Sequence, residues 1–153
     1  MSESYIRKCI DLAEQSVKSG EAPFGSLIVK NNQIIATATN TSRLNHDVSR
    51  HAEIVAMQRA QKKLGKDLSD CEIYSNCEPC PMCAFMMREL GFKKVVFGVL
   101  SPHMGGHSRW NILQDEVLST FLGYPVPEVV GGILEEDCRA TFLNIGWGDF
   151  LKQ

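Results

Sequence analysis

The chain has 153 residues, 44% hydrophobic, 22% charged and 8% aromatic, the balance of an ordinary globular domain and not of a disordered or fibrous chain. Sixteen Lys and Arg stand against 18 Asp and Glu, a net charge of -2, so no overall positive field draws the chain toward a phosphate backbone. No apolar run reaches the length of a membrane span, and MSESYIRKCIDLAEQ lacks the apolar stretch of an export signal. One domain over 1–153, cytoplasmic and with its six cysteines reduced, is expected.

Residues 2–19 set Ile6, Cys9, Ile10, Ala13 and Val17 on one stripe at helical spacing, with Ser2 or Ser4 as a cap and Gly20 as the stop. SLIVKNNQIIATAT then places two β-branched runs around Asn31-Asn32, a pair that tolerates the positive φ of a tight hairpin. A second helix is expected from about Arg50 to Leu64, with Ser49 as N-cap, Glu53, Met57, Ala60 and Leu64 on one face, and Gly65 closing it. CEIYSN reads as a short strand, PMCAFMMREL as a helix opening on Pro81 and ended by Gly91, and KKVVFGV as a buried strand. PEVVGGIL and EEDCRATFLNIGW add a strand and a closing helix. Helices alternating with short apolar strands predict an α/β sandwich.

Between CEIYSN and that third helix lies CEPCPMC, three cysteines at even spacing. An iron–sulfur cluster would need a fourth thiolate, which is missing locally and would have to come from Cys71 or Cys138. A structural zinc site would need a second close-spaced pair of ligands, and the chain has none. A catalytic zinc site needs three protein ligands, one open position and a group to move protons, and His51, Cys80, Cys83 and Glu53 supply that set. Cys80 and Cys83 are three apart, so both sulfurs reach one ion from the first turn of a helix, where free N–H groups favour thiolate. His-x-Glu together with Pro-Cys-x-x-Cys is the signature of zinc nucleobase deaminases. On this reading Cys77 is a buried bystander, and Cys9, Cys71 and Cys138 are core residues.

The segments APFGSLIV, HDVSRHAEI, CEPCPMC, KKVVFGV and GGILEEDC, in this order, resemble the cytidine deaminase superfamily, on the branch of guanine deaminases, cytosine deaminases and tRNA adenosine deaminases. The resemblance covers most of the chain. It implies an α/β/α sandwich about a central five-stranded mixed sheet, a homodimer, one zinc ion per chain on His51, Cys80 and Cys83, and Glu53 as proton shuttle. It further implies that Asn40, Phe24 and Ala52 contact the substrate. SPHMGGHSRWN, 101–111, is expected to be a substrate-facing loop, with His103 and His107 as ordinary polar residues within it.

PFG at 23–25 and LSDCEIYSNCEPCPMC resemble guanine deaminases more than tRNA enzymes. The densest basic cluster, Arg59, Lys62, Lys63 and Lys66, falls at the far end of the second helix, roughly 20 Å from its start at 1.5 Å per residue. Deamination of a free base or nucleoside is therefore expected, guanine first and cytosine second, with nucleic acid unlikely as a partner. tRNA adenosine deamination is the alternative within the superfamily, and a non-catalytic zinc or iron–sulfur protein is the alternative of another class.

Overall fold

A computed structural model describes residues 1–152. It places α1 at Ser2–Lys18, β1 at Gly25–Lys30, β2 at Gln33–Thr39, α2 at Ala52–Leu64 and β3 at Cys71–Cys77. α3 follows at Pro81–Leu90, β4 at Lys94–Val99, α4 at Glu116–Leu122, β5 at Glu128–Val130 and α5 at Glu135–Leu143, with a 3-10 turn at Gly148–Leu151. The hairpin between β1 and β2 turns on Asn31 and Asn32 at φ 51° and 62°, the left-handed pair that a tight turn requires. The five strands form one mixed sheet in the order β2-β1-β3-β4-β5, with β1 antiparallel to both neighbours and β3, β4 and β5 parallel.

Strand alternation decides what each face covers. Ile28, Ile73 and Val95 pair across β1, β3 and β4 and bury against Val55, Met57 and Ala60 of α2 and Ala84 and Met87 of α3. Leu27, Tyr74 and Val96 point the other way, onto Ile6, Cys9 and Ile10 of α1 and Cys138 and Phe142 of α5. The α/β/α sandwich with a five-stranded mixed sheet is the architecture present. Along the free edge of β2, Arg59 and Lys63 of α2 donate to the carbonyls of Thr37 and Ile35, so half of the basic cluster covers an exposed sheet edge.

Two local expectations change and one helix is added: α1 starts at Ser2 with Met1 as N-cap and no side-chain cap, so neither Ser2 nor Ser4 serves. α2 begins at Ala52 with His51 as N-cap, not at Arg50 behind Ser49. Ser49 is engaged by Asp47, whose carboxylate accepts from both its N–H and its hydroxyl at 2.9 and 2.6 Å. α4 does not emerge from periodicity at all, because none of its seven residues is buried. It is defined by its ends: Asp115 accepts from the N–H groups of Val117 and Leu118, and Gly123 closes it at φ 82°.

The 112–119 segment is held by Arg88, 2% exposed, which donates to the carbonyls of Ile112, Leu113 and Asp115 and to Ser119 Oγ at 2.8 to 3.1 Å. Arg88→Met leaves three carbonyls without a charged donor. We expect a loss of about 2–4 kcal/mol, or roughly 5–15 °C in Tm, read by calorimetry, and a shift under 2 °C would deny the clamp its weight.

Candidate active site

β2 runs into the loop that delivers His51, and β3 runs into Cys77–Cys80, so the N-termini of α2 and α3 meet beside the carboxyl ends of the parallel strands. His51 is the N-cap of α2 and Cys80 the N-cap of α3, with Pro81 at the first helical position. Cys83 occupies the third, which turns its sulfur back toward Cys80. The unpaired N–H groups of two helix ends thus converge on one point, a field that favours anionic sulfur.

The donor atoms form a tight triangle. Cys80 Sγ lies 3.5 Å from His51 Nδ1, Cys83 Sγ 3.6 Å from the same nitrogen, and the two sulfurs are 3.6 Å apart. Thiolates at about 2.3 Å and an imidazole nitrogen at about 2.0 Å from one tetrahedral ion stand roughly 3.5–3.8 Å from each other, so these residues fit zinc without rearrangement. The proton balance agrees with the geometry. The Cys83 thiol and His51 hold the Cys80 sulfur as thiolate, with its pKa down at about 4. Hydrogen bonding to that sulfur, together with burial, pushes Cys83 well up, and the same sulfur raises His51. A divalent cation at the centre takes the place of those shared protons. Cys77 stays in the core on the α1 and α5 side, its thiol pushed up by burial, and Cys9, Cys71 and Cys138 are buried too.

Glu53 follows His51 by two residues, in the first turn of α2, and is 5% exposed. Burial and the charge on Cys80 push its carboxyl up to about 7, where it both takes and gives a proton near neutrality. It borders a cavity of about 210 Å³ with His51, Cys80, Phe24, Glu78, Ser101, Met104 and Phe150. Phe24 stands in an aromatic group, its ring 5.9 Å from Phe150 and 5.5 Å from Phe142, whose rings stack on each other at 5.4 Å. The closing 3-10 turn therefore completes one wall of the pocket.

The other expected substrate residues lie behind this surface. Ala52 is wholly buried, and Asn40 is 3% exposed with its amide donating to Glu21 and Ser42 at 3.1 and 3.0 Å. Burial raises Glu21, but the N–H groups of Arg43 and Leu44 and the Asn40 amide outweigh it and hold the carboxyl below its ordinary range. An ionised carboxylate only accepts, so the Asn40 NH₂ faces Glu21 and its carbonyl oxygen faces away. The 101–111 loop reaches the pocket through Ser101 and Met104; His103 is exposed and His107 packs edge-on against Phe97.

Glu78 is the wall residue that sequence reasoning missed, and Phe150, which as an aromatic near the C-terminus reads first as core or dimer contact, also lines the pocket. Glu78 hides inside CEPCPMC, where the cysteines draw attention. A carboxylate set between Cys77 and Cys80 beside an apolar strand was the available signal, since it needs several donors to be tolerated there.

Residues 1–99 match the family described as the cytidine and deoxycytidylate deaminase zinc-binding region. The chain belongs to this family. It is 36% identical to the tRNA-specific adenosine deaminase of Bacillus subtilis over 138 residues, 89% of this chain and 83% of that one. It is 42% identical to the guanine deaminase of the same organism, over 83 residues and 53% of each chain. The solved structure of a tRNA:A34 deaminase superimposes with a TM-score of 0.82 at 24% identity, over 90% of this chain and 98% of the other. The protein is a zinc-dependent hydrolytic deaminase, and His51, Cys80 and Cys83 are grouped so that they could hold the ion.

Proposed function

We propose that this deaminase converts adenosine to inosine in tRNA. The observation that carries the choice is coverage. Likeness to the tRNA-specific enzyme of Bacillus subtilis extends over 89% of this chain, whereas likeness to guanine deaminase, though higher locally, stops at 53%. The net charge of -2, which argues for a small substrate, is an average over the whole surface. Arg43 and Arg50 lie on the loop leading into His51 and Arg109 on the loop after Ser101; none of the three is within salt-bridge distance of a carboxylate among the described residues, although Arg43 donates to the Gly20 carbonyl, Arg50 to Thr41 and Gln58, and Arg109 stacks on Trp110. The groups beside the opening, and not the average over the whole chain, are what a flipped nucleotide meets.

Zinc on this donor set supplies Lewis-acid chemistry, leaving one coordination position for solvent and lowering the pKa of that water from about 15.7 to near 7. The chain does the rest. Phe24 and Phe150 receive the base between an apolar wall and the metal side of the cavity. Glu53 accepts a proton from the attacking water as oxygen bonds to the amidine carbon, then delivers it to the amine nitrogen. The carbon–nitrogen bond breaks and ammonia leaves, so one water is consumed per ammonia released. The buried wall excludes bulk water that would otherwise solvate Glu53 and weaken both transfers.

A homodimer belongs to the same proposal. Met82 and Phe85 of α3 and Val117 and Phe121 of α4 are exposed apolar side chains on two helices in contact with each other. Sedimentation at micromolar concentration is expected to give twice the chain mass.

The deciding experiment incubates the purified protein with a tRNA transcript carrying adenosine in its anticodon loop, and in parallel with free adenine, guanine and cytosine. Inosine in the tRNA, with the bases untouched, is the expected result. Ammonia from guanine or cytosine with unchanged tRNA reverses the assignment in favour of the small substrate.

A further inference from the structure

Ser101 is 1% exposed and borders the zinc pocket, yet its hydroxyl is one of two buried side-chain polar atoms without a hydrogen-bond partner among the described residues. A buried hydroxyl normally finds a carbonyl, and this one lies in a loop full of them. Its backbone, by contrast, is firmly held. Ser101 N–H donates to Glu78 Oε1 at 2.9 Å, and the same carboxylate accepts from the N–H groups of His107 and Ser108 at 3.1 and 2.6 Å and from Ser108 Oγ at 2.8 Å. Glu78, 3% exposed, thereby ties both ends of 101–108 to the segment between the cysteines.

The loop is built around that carboxylate. A Cβ on Gly105 would fall 2.2 Å from Glu78 Oε2, so only glycine lets the loop close over it. Met104 N–H donates to the Ser101 carbonyl at 3.1 Å, and this turn sets the half-exposed Met104 side chain on the same wall of the pocket. Its unbranched thioether is the kind of cover that an entering ring displaces.

We propose that Ser101 is a substrate-recognition residue whose hydroxyl, free of protein partners while its backbone is anchored on Glu78, pairs with a polar edge of the bound base or sugar. Glu78 is the positioning residue for this contact. The proposal rests on the zinc pocket being the deaminase site, and it does not depend on whether the substrate is tRNA or a free base.

Ser101→Ala and Ser101→Cys are compared with wild type on the tRNA transcript and on free adenine, guanine and cytosine, scoring whichever of these wild type turns over. Cys nearly preserves the volume but hydrogen-bonds weakly, so it separates recognition from packing. Both variants are expected to keep one zinc and the wild-type Tm while KM rises about tenfold and kcat moves less than threefold. Binding of the same substrate to Glu53→Gln is expected to weaken by the same factor when Ser101→Ala is added. Ser108→Ala, which removes one donor from Glu78 away from the metal, is expected to shift KM in the same direction by a smaller factor. Wild-type KM in Ser101→Ala, or a Cys variant indistinguishable from wild type beside an impaired Ala variant, would overturn the proposal. Turnover of a free base instead of tRNA overturns only the substrate assignment above.

Discussion

Glu53→Gln is expected to keep the zinc and the fold while kcat falls by a factor on the order of 10² to 10⁴. The amide matches the carboxyl in size but takes no proton near neutrality, so the change isolates proton transfer from packing. Three observations combine in that expectation. Glu53 is separated from His51 by one residue, borders the pocket, and is buried enough for its carboxyl to be pushed up to about 7. It is not among the three donors of the metal site, so metal analysis after the substitution should still give one zinc per chain. Turnover within tenfold of wild type would remove Glu53 from the proton-transfer role. Loss of zinc would show instead that it acts through the metal.

Most of the architecture was legible because its signals were local. The stripe of Ile6, Cys9, Ile10 and Ala13, the Asn31-Asn32 pair, and Pro81 with Gly91 each mark an element by periodicity or by backbone geometry, and each element is present. The three grouped donors were legible because two of them share one turn and the third starts another helix. α4 was not, since a short helix without a buried face leaves no periodic trace and is marked by Asp115 and Gly123 alone. Glu78 was not, and Ser101 was legible only as part of the 101–111 loop, because their partners come from 23 to 30 residues away and nothing in CEPCPMC or SPHMGG reports that distance. Long-range hydrogen bonds fix the pocket wall, and a linear pattern does not encode them.

The substrate shows the same limit from another side. Net charge describes how a whole surface attracts phosphate, but recognition of one nucleotide depends on the few groups around the opening. Arg59 and Lys63, the cations that stood out as a cluster, turn out to cover the carbonyls of the β2 edge. Arg43, Arg50 and Arg109, scattered in the sequence, are carried on the loops that adjoin the pocket residues His51 and Ser101. On the proposed tRNA reading, counting charges along the chain gives weight to a cluster that partly serves the β2 edge and none to the arginines on those loops.

Cys83→Ser is expected to release the metal and to destabilise the fold, whereas Cys77→Ser retains it. The two cysteines are six residues apart and both buried, but only Cys83 has its sulfur 3.6 Å from both Cys80 Sγ and His51 Nδ1. A hydroxyl in its place leaves one thiolate and one imidazole, too few to hold zinc against exchange. Zinc bound at 1,000 times its dissociation constant stabilises the folded chain by about 4 kcal/mol, so its loss should lower Tm by roughly 8–16 °C. Chelation of the wild type should reproduce that drop and have no effect on the Cys83→Ser protein. In Cys77→Ser a buried hydroxyl costs about 1–3 kcal/mol while zinc stays near one per chain, so metal content and stability separate. Zinc retained by Cys83→Ser, or lost from Cys77→Ser, would mean that the sulfur at position 77 is a ligand and that the three-residue donor set is wrong.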